Sequence, residues 1–149
     1  MTAAAALRPA EAGDWPRIQS LLAAAGLPTQ DLQPQAVTDF TVATDADKVV
    51  GAVAMERYGV SGLLRSLVVD PEWRGRGLGR ALVNAAERAA AALRIESLTL
   101  LTQTAAPFFR ALAYREIPRG HAPTAVQANA EFTQLCPSTS NCLTKSLRA

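Results

Sequence analysis

Ten residues concentrate the chemistry that this sequence carries. In "WRGRGLGRAL", positions 73–82, Arg74, Arg76 and Arg80 are interleaved with Gly75, Gly77 and Gly79. Glycine lets backbone N–H groups approach a ligand that side chains would hold off. A helix N-terminus offers unpaired N–H groups and the positive end of its dipole. Arginine adds charge-assisted bonds to phosphate oxygens. Set before the helical pattern that begins at Leu78, the stretch predicts a grip on a pyrophosphate.

Two familiar nucleotide loops do not fit. A P-loop places Lys and Ser or Thr after its last glycine, whereas Arg80 and Ala81 follow Gly79 here. A dinucleotide fingerprint reads G-x-G-x-x-G directly after a strand. Here the spacing is G-x-G-x-G, and "DPEWR" intervenes.

The loop needs a strand before it and a helix after it, and both are legible. "LLRSLVV" is an apolar run, and Leu78, Ala81, Leu82, Ala85, Ala89 and Leu93 recur at helical spacing. Upstream, "AALRPA" reads as a short strand. Asp14 reads as an N-cap, followed by a helix carrying Trp15, Ile18, Leu21 and Leu22 and stopped at Gly26. "LPTQDLQPQ" is loop with a helical turn. Two strands flank the turn Asp45–Lys48, and Gly59–Gly62 turns into the third. Downstream come the strand "SLTLLT", a short helix in "AAPFFRALAY", a strand from Arg115, loop material around Pro118, Pro123 and Pro137, and a last strand in "NCLTKSL". A helix between "LLRSLVV" and "SLTLLT" implies a parallel crossover. The expected architecture is α/β, a mixed sheet flanked by helices, in one domain over residues 1–149.

Composition narrows the partners. The 149 residues are 49% hydrophobic and 19% charged, with a net charge of +2, too little to argue for nucleic acid or an anionic membrane. No apolar run approaches the roughly 20 residues of a membrane helix. "MTAAAALRPA" lacks the basic start of a signal peptide. Two cysteines and one histidine exclude a disulfide scaffold. A cytoplasmic protein without a metal is expected.

Other residues invite chemical readings. Arg65 stands inside an apolar strand, where an unpaired charge is costly. It either anchors a substrate carboxylate through its bidentate fork or pairs with Glu56 or another neighbour. Arg57 is a second candidate for an anion. Glu56 either faces a cleft as a proton acceptor or points to solvent. His121 reads as a loop residue. Cys136 and Cys142 admit trivalent arsenic as a soft ligand, although small buried hydrophobes are the simpler reading.

The pattern R-x-x-G-x-G, here Arg74, Gly77 and Gly79 after "SLVVDPEW", resembles the GNAT N-acetyltransferase family, and "SLTLLTQTAAPFFRALAYREI" resembles the family's next strand–helix–strand unit. The resemblance implies a splayed central sheet and acetyl-CoA as co-substrate. It puts Arg74, Gly75, Arg76, Gly77, Leu78, Gly79 and Arg80 on the pyrophosphate and Leu67, Val68 and Val69 on the pantetheine arm. Phe108 and Phe109 also fall on the cofactor side. Arg65, Arg57, Ser66 and Thr102 fall on the substrate side, with Glu56 as base. The family often carries a tyrosine as general acid where Phe109 stands, so no proton donor is assigned, and Tyr114 reads as a core residue.

Pieces such as "GLLRSLVVDPEWRGRGLG" and "FTQLCPSTSNCLTKSL" resemble the small acetyltransferases associated with arsenic resistance, and "LLTQTAAPFF" resembles the catalytic domain of N-acetylglutamate synthase. Both imply an α-amine on a small amino-acid-like substrate, such as the glutamate mimics arsinothricin and phosphinothricin. The alternatives are biosynthetic acetylation of glutamate and a non-catalytic acetyl-CoA sensor. Family members that pair through their last strands imply a homodimer.

Overall fold

The computed structural model describes residues 5–136 and 139–148; Pro137 lies outside them. Among the described residues, seven strands hydrogen-bond in the order β1-β2-β3-β4-β5-β7-β6. The chain divides into two compact units. One runs to Met55 and takes in Ser66–Ala86; the other is Glu56–Arg65 with the chain from Glu87 on.

In the first unit, β1 (Ala6–Pro9) pairs antiparallel with β2 (Phe40–Asp45), which pairs antiparallel with β3 (Lys48–Tyr58). The turn between β2 and β3 places Ala46 at φ +53°. α1 (Trp15–Ala24) lays Trp15, Ile18, Leu21 and Leu22 into a core with Phe40, Val42 and Val68. The helix ends as the sequence predicts. Gly26 takes φ +70°, and the Leu27 N–H reaches back to Leu22 O at 3.0 Å.

The Asp14 cap differs from expectation. Asp14 stands at the N-cap, but its carboxylate makes no cap bond to the helix. It accepts instead from Arg8, at 2.7 and 3.0 Å, and from the Glu11 N–H. An arginine fork outcompetes a single backbone N–H for the carboxylate.

β4 (Ser61–Val69) and α2 (Leu78–Ala92) each contribute to both units. The first turn of α2 is seated on Gly51 of β3. A Cβ there would stand 3.0 Å from Leu82, 3.2 Å from Val68 O and 3.4 Å from Leu78. Only hydrogen fits between strand and helix at this point.

In the second unit, β4 pairs in parallel with β5 (Ser97–Thr102) from Ser61↔Ser97 to Leu63↔Thr99. β5 then pairs antiparallel along its whole length with β7 (Asn141–Ser146), and β6 (Arg115–Ile117) closes on the outer side of β7. Leu63, Leu98, Leu100 and Leu143 are buried here. α3 (Ala106–Ala111) brings Phe109 edge-on to Tyr114, with ring centroids 5.5 Å apart.

The expected order of elements holds, with one correction in the tail. Residues read as loop form a short helix α4 (Thr124–Gln127) and a π-helical turn Glu131–Leu135. Four- and five-residue helices carry too little periodicity to register in a sequence. No helix among the described residues is long and apolar enough to cross a membrane.

Candidate functional site

The glycine loop leaves β4 through a kink. Ser66 is buried and holds φ +59°, a left-handed value that non-glycine residues rarely adopt inside a strand. Beyond it Val68 is buried in the α1 core, while Leu67 and Val69 are half-buried. Asp70 then accepts the Glu72 N–H at 2.9 Å and caps the turn Pro71–Trp73.

Gly75 and Gly77 take φ +77° and +79°, with nothing within 4 Å of an added Cβ. The conformation demands glycine there, and the space beside it is open. The first helical bond of α2 runs from Ala81 N–H to Gly77 O at 3.1 Å. The N–H groups of Leu78, Gly79 and Arg80 therefore precede the helical ladder and are available to an acceptor. Arg74, Arg76 and Arg80 are exposed, and Arg76 lies over the Trp73 ring, 4.7 Å from its centroid. Open left-handed glycines, unspent N–H groups and exposed guanidinium groups fit a pyrophosphate.

The second unit holds a polar network around Arg65. Its guanidinium, with no side-chain exposure, lies 3.5 Å from Glu56 and 3.3 Å from Glu131. Glu56 also accepts from Tyr58 OH at 3.1 Å and Asn129 Nδ2 at 2.7 Å, and Asn129 Nδ2 lies 2.6 Å from Tyr58 OH. Asn129 Oδ1 takes the Glu131 N–H at 2.8 Å, which fixes the turn that delivers Glu131. Burial pushes the Tyr58 hydroxyl above its ordinary value.

Of the two readings of Arg65, the structure therefore gives the ion pair. Glu56 neither points to solvent nor stands free, but is held from three sides. Arg57, next in the strand, is exposed and donates to Gly59 O. Thr102 Oγ1 accepts the Ala105 N–H at 3.0 Å, just before α3. Phe108 is exposed and Phe109 buried. His121 is exposed.

Sequence reasoning missed Tyr58, Asn129 and Glu131. Tyr58 carried a signal, since it follows Glu56 by two on one strand and so shares its face. Asn129 and Glu131 carried none: they arrive from a short turn more than sixty residues away.

Tyr114 is buried and donates to Glu87 at 2.9 Å, and Lys145 bonds the same carboxylate at 3.0 and 3.1 Å. Burial, then the Glu87 charge, pushes the phenol well above its ordinary value. Tyr114→Phe is expected to cost about 1.5–3 kcal/mol, the worth of a bond to a charged group, in urea denaturation. Cys142 is buried, and burial pushes its thiol up to about 11. Among the described residues no cluster of three or more His, Cys, Asp and Glu could hold a metal.

Residues 36–116, more than half of the chain, match the acetyltransferase (GNAT) domain family. The chain belongs to the GNAT family. An uncharacterized N-acetyltransferase of Chlorobaculum tepidum is 34% identical to this GNAT domain over 88 residues, 58% of this chain and 56% of that protein. The aligned region thus spans about half the length of this curated relative.

Among solved structures, N-acetylglutamate synthase from Neisseria gonorrhoeae, complexed with coenzyme A and N-acetyl-glutamate, superposes with TM-score 0.86 at 18% identity. The match covers 100% of this chain and 36% of that one. Rv2747 from Mycobacterium tuberculosis, in complex with CoA, gives 0.81 at 24% identity over 96% and 99% of the two chains. A GNAT acetyltransferase from Staphylococcus aureus gives 0.77 at 15% identity over 97% and 100%. These likenesses establish the GNAT fold for the mixed sheet described above.

Proposed function

We propose that this GNAT domain transfers an acetyl group from acetyl-CoA to the α-amine of a small amino-acid-like substrate of the glutamate type. The observation that carries the proposal is the loop Arg74–Arg80. Its left-handed Gly75 and Gly77 and unspent N–H groups at α2 suit the pyrophosphate of CoA. Leu67, Val68 and Val69 would offer the strand backbone to the pantetheine arm.

In the reaction, the amine nitrogen attacks the thioester carbonyl carbon. A C–N bond forms, the C–S bond breaks, and CoA leaves as thiolate. The proton shed by the amine balances the one that the thiolate takes up. A thiol's reference pKa of about 8.5 makes the thiolate a tolerable leaving group, so Phe109 without a hydroxyl is no obstacle. Glu56 is the carboxylate proposed to receive the amine proton, through water. Arg65 is engaged by Glu56 and Glu131, so the substrate's acid group falls to another residue.

The amino-acid class is supported by the fold likeness to an N-acetylglutamate synthase solved with N-acetyl-glutamate. Glutamate mimics such as phosphinothricin and arsinothricin present the same α-amino acid end, and their acetylation would make this a resistance enzyme. The test is release of free CoA thiol from acetyl-CoA with glutamate, other amino acids, both mimics and a polyamine. Turnover confined to the mimics supports resistance, and turnover of glutamate supports biosynthesis. Binding of acetyl-CoA without release on any amine overturns the transferase reading in favour of a sensor.

A further inference from the structure

The loop that would take the cofactor is referenced at both ends to three consecutive residues of β3. At its far end, Leu78 and Leu82 of α2 rest on Gly51. At its near end, Asp70 N–H donates to Val50 O at 2.8 Å, and Trp73 N–H donates to Asp70 O at 2.8 Å. One side chain from outside completes the bracket. Arg17 of α1 donates through Nε to Val49 O at 3.0 Å and through Nη2 to Asp70 Oδ2 at 2.7 Å.

We propose that Arg17 is a positioning residue for acetyl-CoA, acting through Asp70 on the loop that binds the pyrophosphate; the inference rests on the function proposed above. Arg17 does two things there. It ties the first residue of the loop to β3 and α1, fixing where Gly75 and Gly77 begin their turns. It also neutralises a carboxylate at the entrance of a site built for an anion. The Glu72 N–H, the largest influence on it, together with Arg17 holds the Asp70 carboxyl below the ordinary range. Without Arg17, the carboxylate would lose its ion-pair partner at 2.7 Å and keep only the more distant charge of Lys48 beside the incoming phosphates.

The fold supplies a matched control. Arg8 bonds Asp14 at 2.7 Å with the same side-chain exposures, 34% and 12%, as Arg17 with Asp70. Both pairs lie in the same unit, but the Arg8 pair braces only the entry to α1. The experiment compares KM for acetyl-CoA, kcat and melting temperature for the wild type, Arg17→Ala and Arg8→Ala. The expected result is a KM raised about tenfold in Arg17→Ala, the worth of one charge-assisted bond, with kcat within about twofold. Arg8→Ala should show a comparable loss of melting temperature and an unchanged KM. If the two variants share one KM while wild type binds CoA normally, the role of Arg17 is overturned and the function stands. If wild type itself does not bind CoA, the function falls and this inference with it.

Discussion

Arg65→Ala is expected to destabilise the protein by about 3–5 kcal/mol, the cost of removing one partner from a buried ion pair. The guanidinium has no exposed surface and faces Glu56 and Glu131 at 3.5 and 3.3 Å. Its removal takes away a cation that two largely buried carboxylates share. Tyr58 and Asn129 continue to donate to Glu56, yet hydrogen bonds from neutral groups do not cancel a buried charge. Urea denaturation measures the loss as a lower midpoint at unchanged slope. A loss below about 1 kcal/mol, typical of an exposed pair, would refute the burial argument.

The second large effect falls on the ligand. Gly77→Val is expected to weaken acetyl-CoA binding about ten- to a hundredfold, from about 1–3 kcal/mol of backbone strain. Valine resists the φ of +79° that Gly77 holds, so the turn opens and the N–H groups of Leu78, Gly79 and Arg80 swing out of line. Gly59 provides the comparison: its φ is +67°, and an added Cβ there also meets nothing within 4 Å. Gly59→Val should suffer similar strain at the β3–β4 turn and keep its affinity for acetyl-CoA. Equal loss of affinity in both variants would mean that the loop has no special part in binding.

Much of this architecture was legible because its signals are local. The left-handed turns of Gly26, Gly75 and Gly77, the amphipathic run from Leu78 and the apolar strand before Asp70 each depend on neighbours within a few positions. The partners of the charged residues were not legible, because they depend on which segment the fold lays against them. Asp14 lost its expected cap to Arg8, and Arg65 found Glu131 on a turn too short to announce itself. The kink at Ser66 was hidden for another reason: a serine at φ +59° leaves no mark in a run that otherwise reads as an ordinary apolar strand.

A calorimetric titration of the wild-type chain with CoA and with pantetheine, which lacks every phosphate, tests the central claim most directly. The account predicts saturable binding of CoA and, with two or more charge-assisted phosphate bonds lost, at least about a hundredfold weaker binding of pantetheine. Equal affinity for the two, or no binding of CoA, would contradict the assignment of Arg74–Arg80 as the pyrophosphate grip.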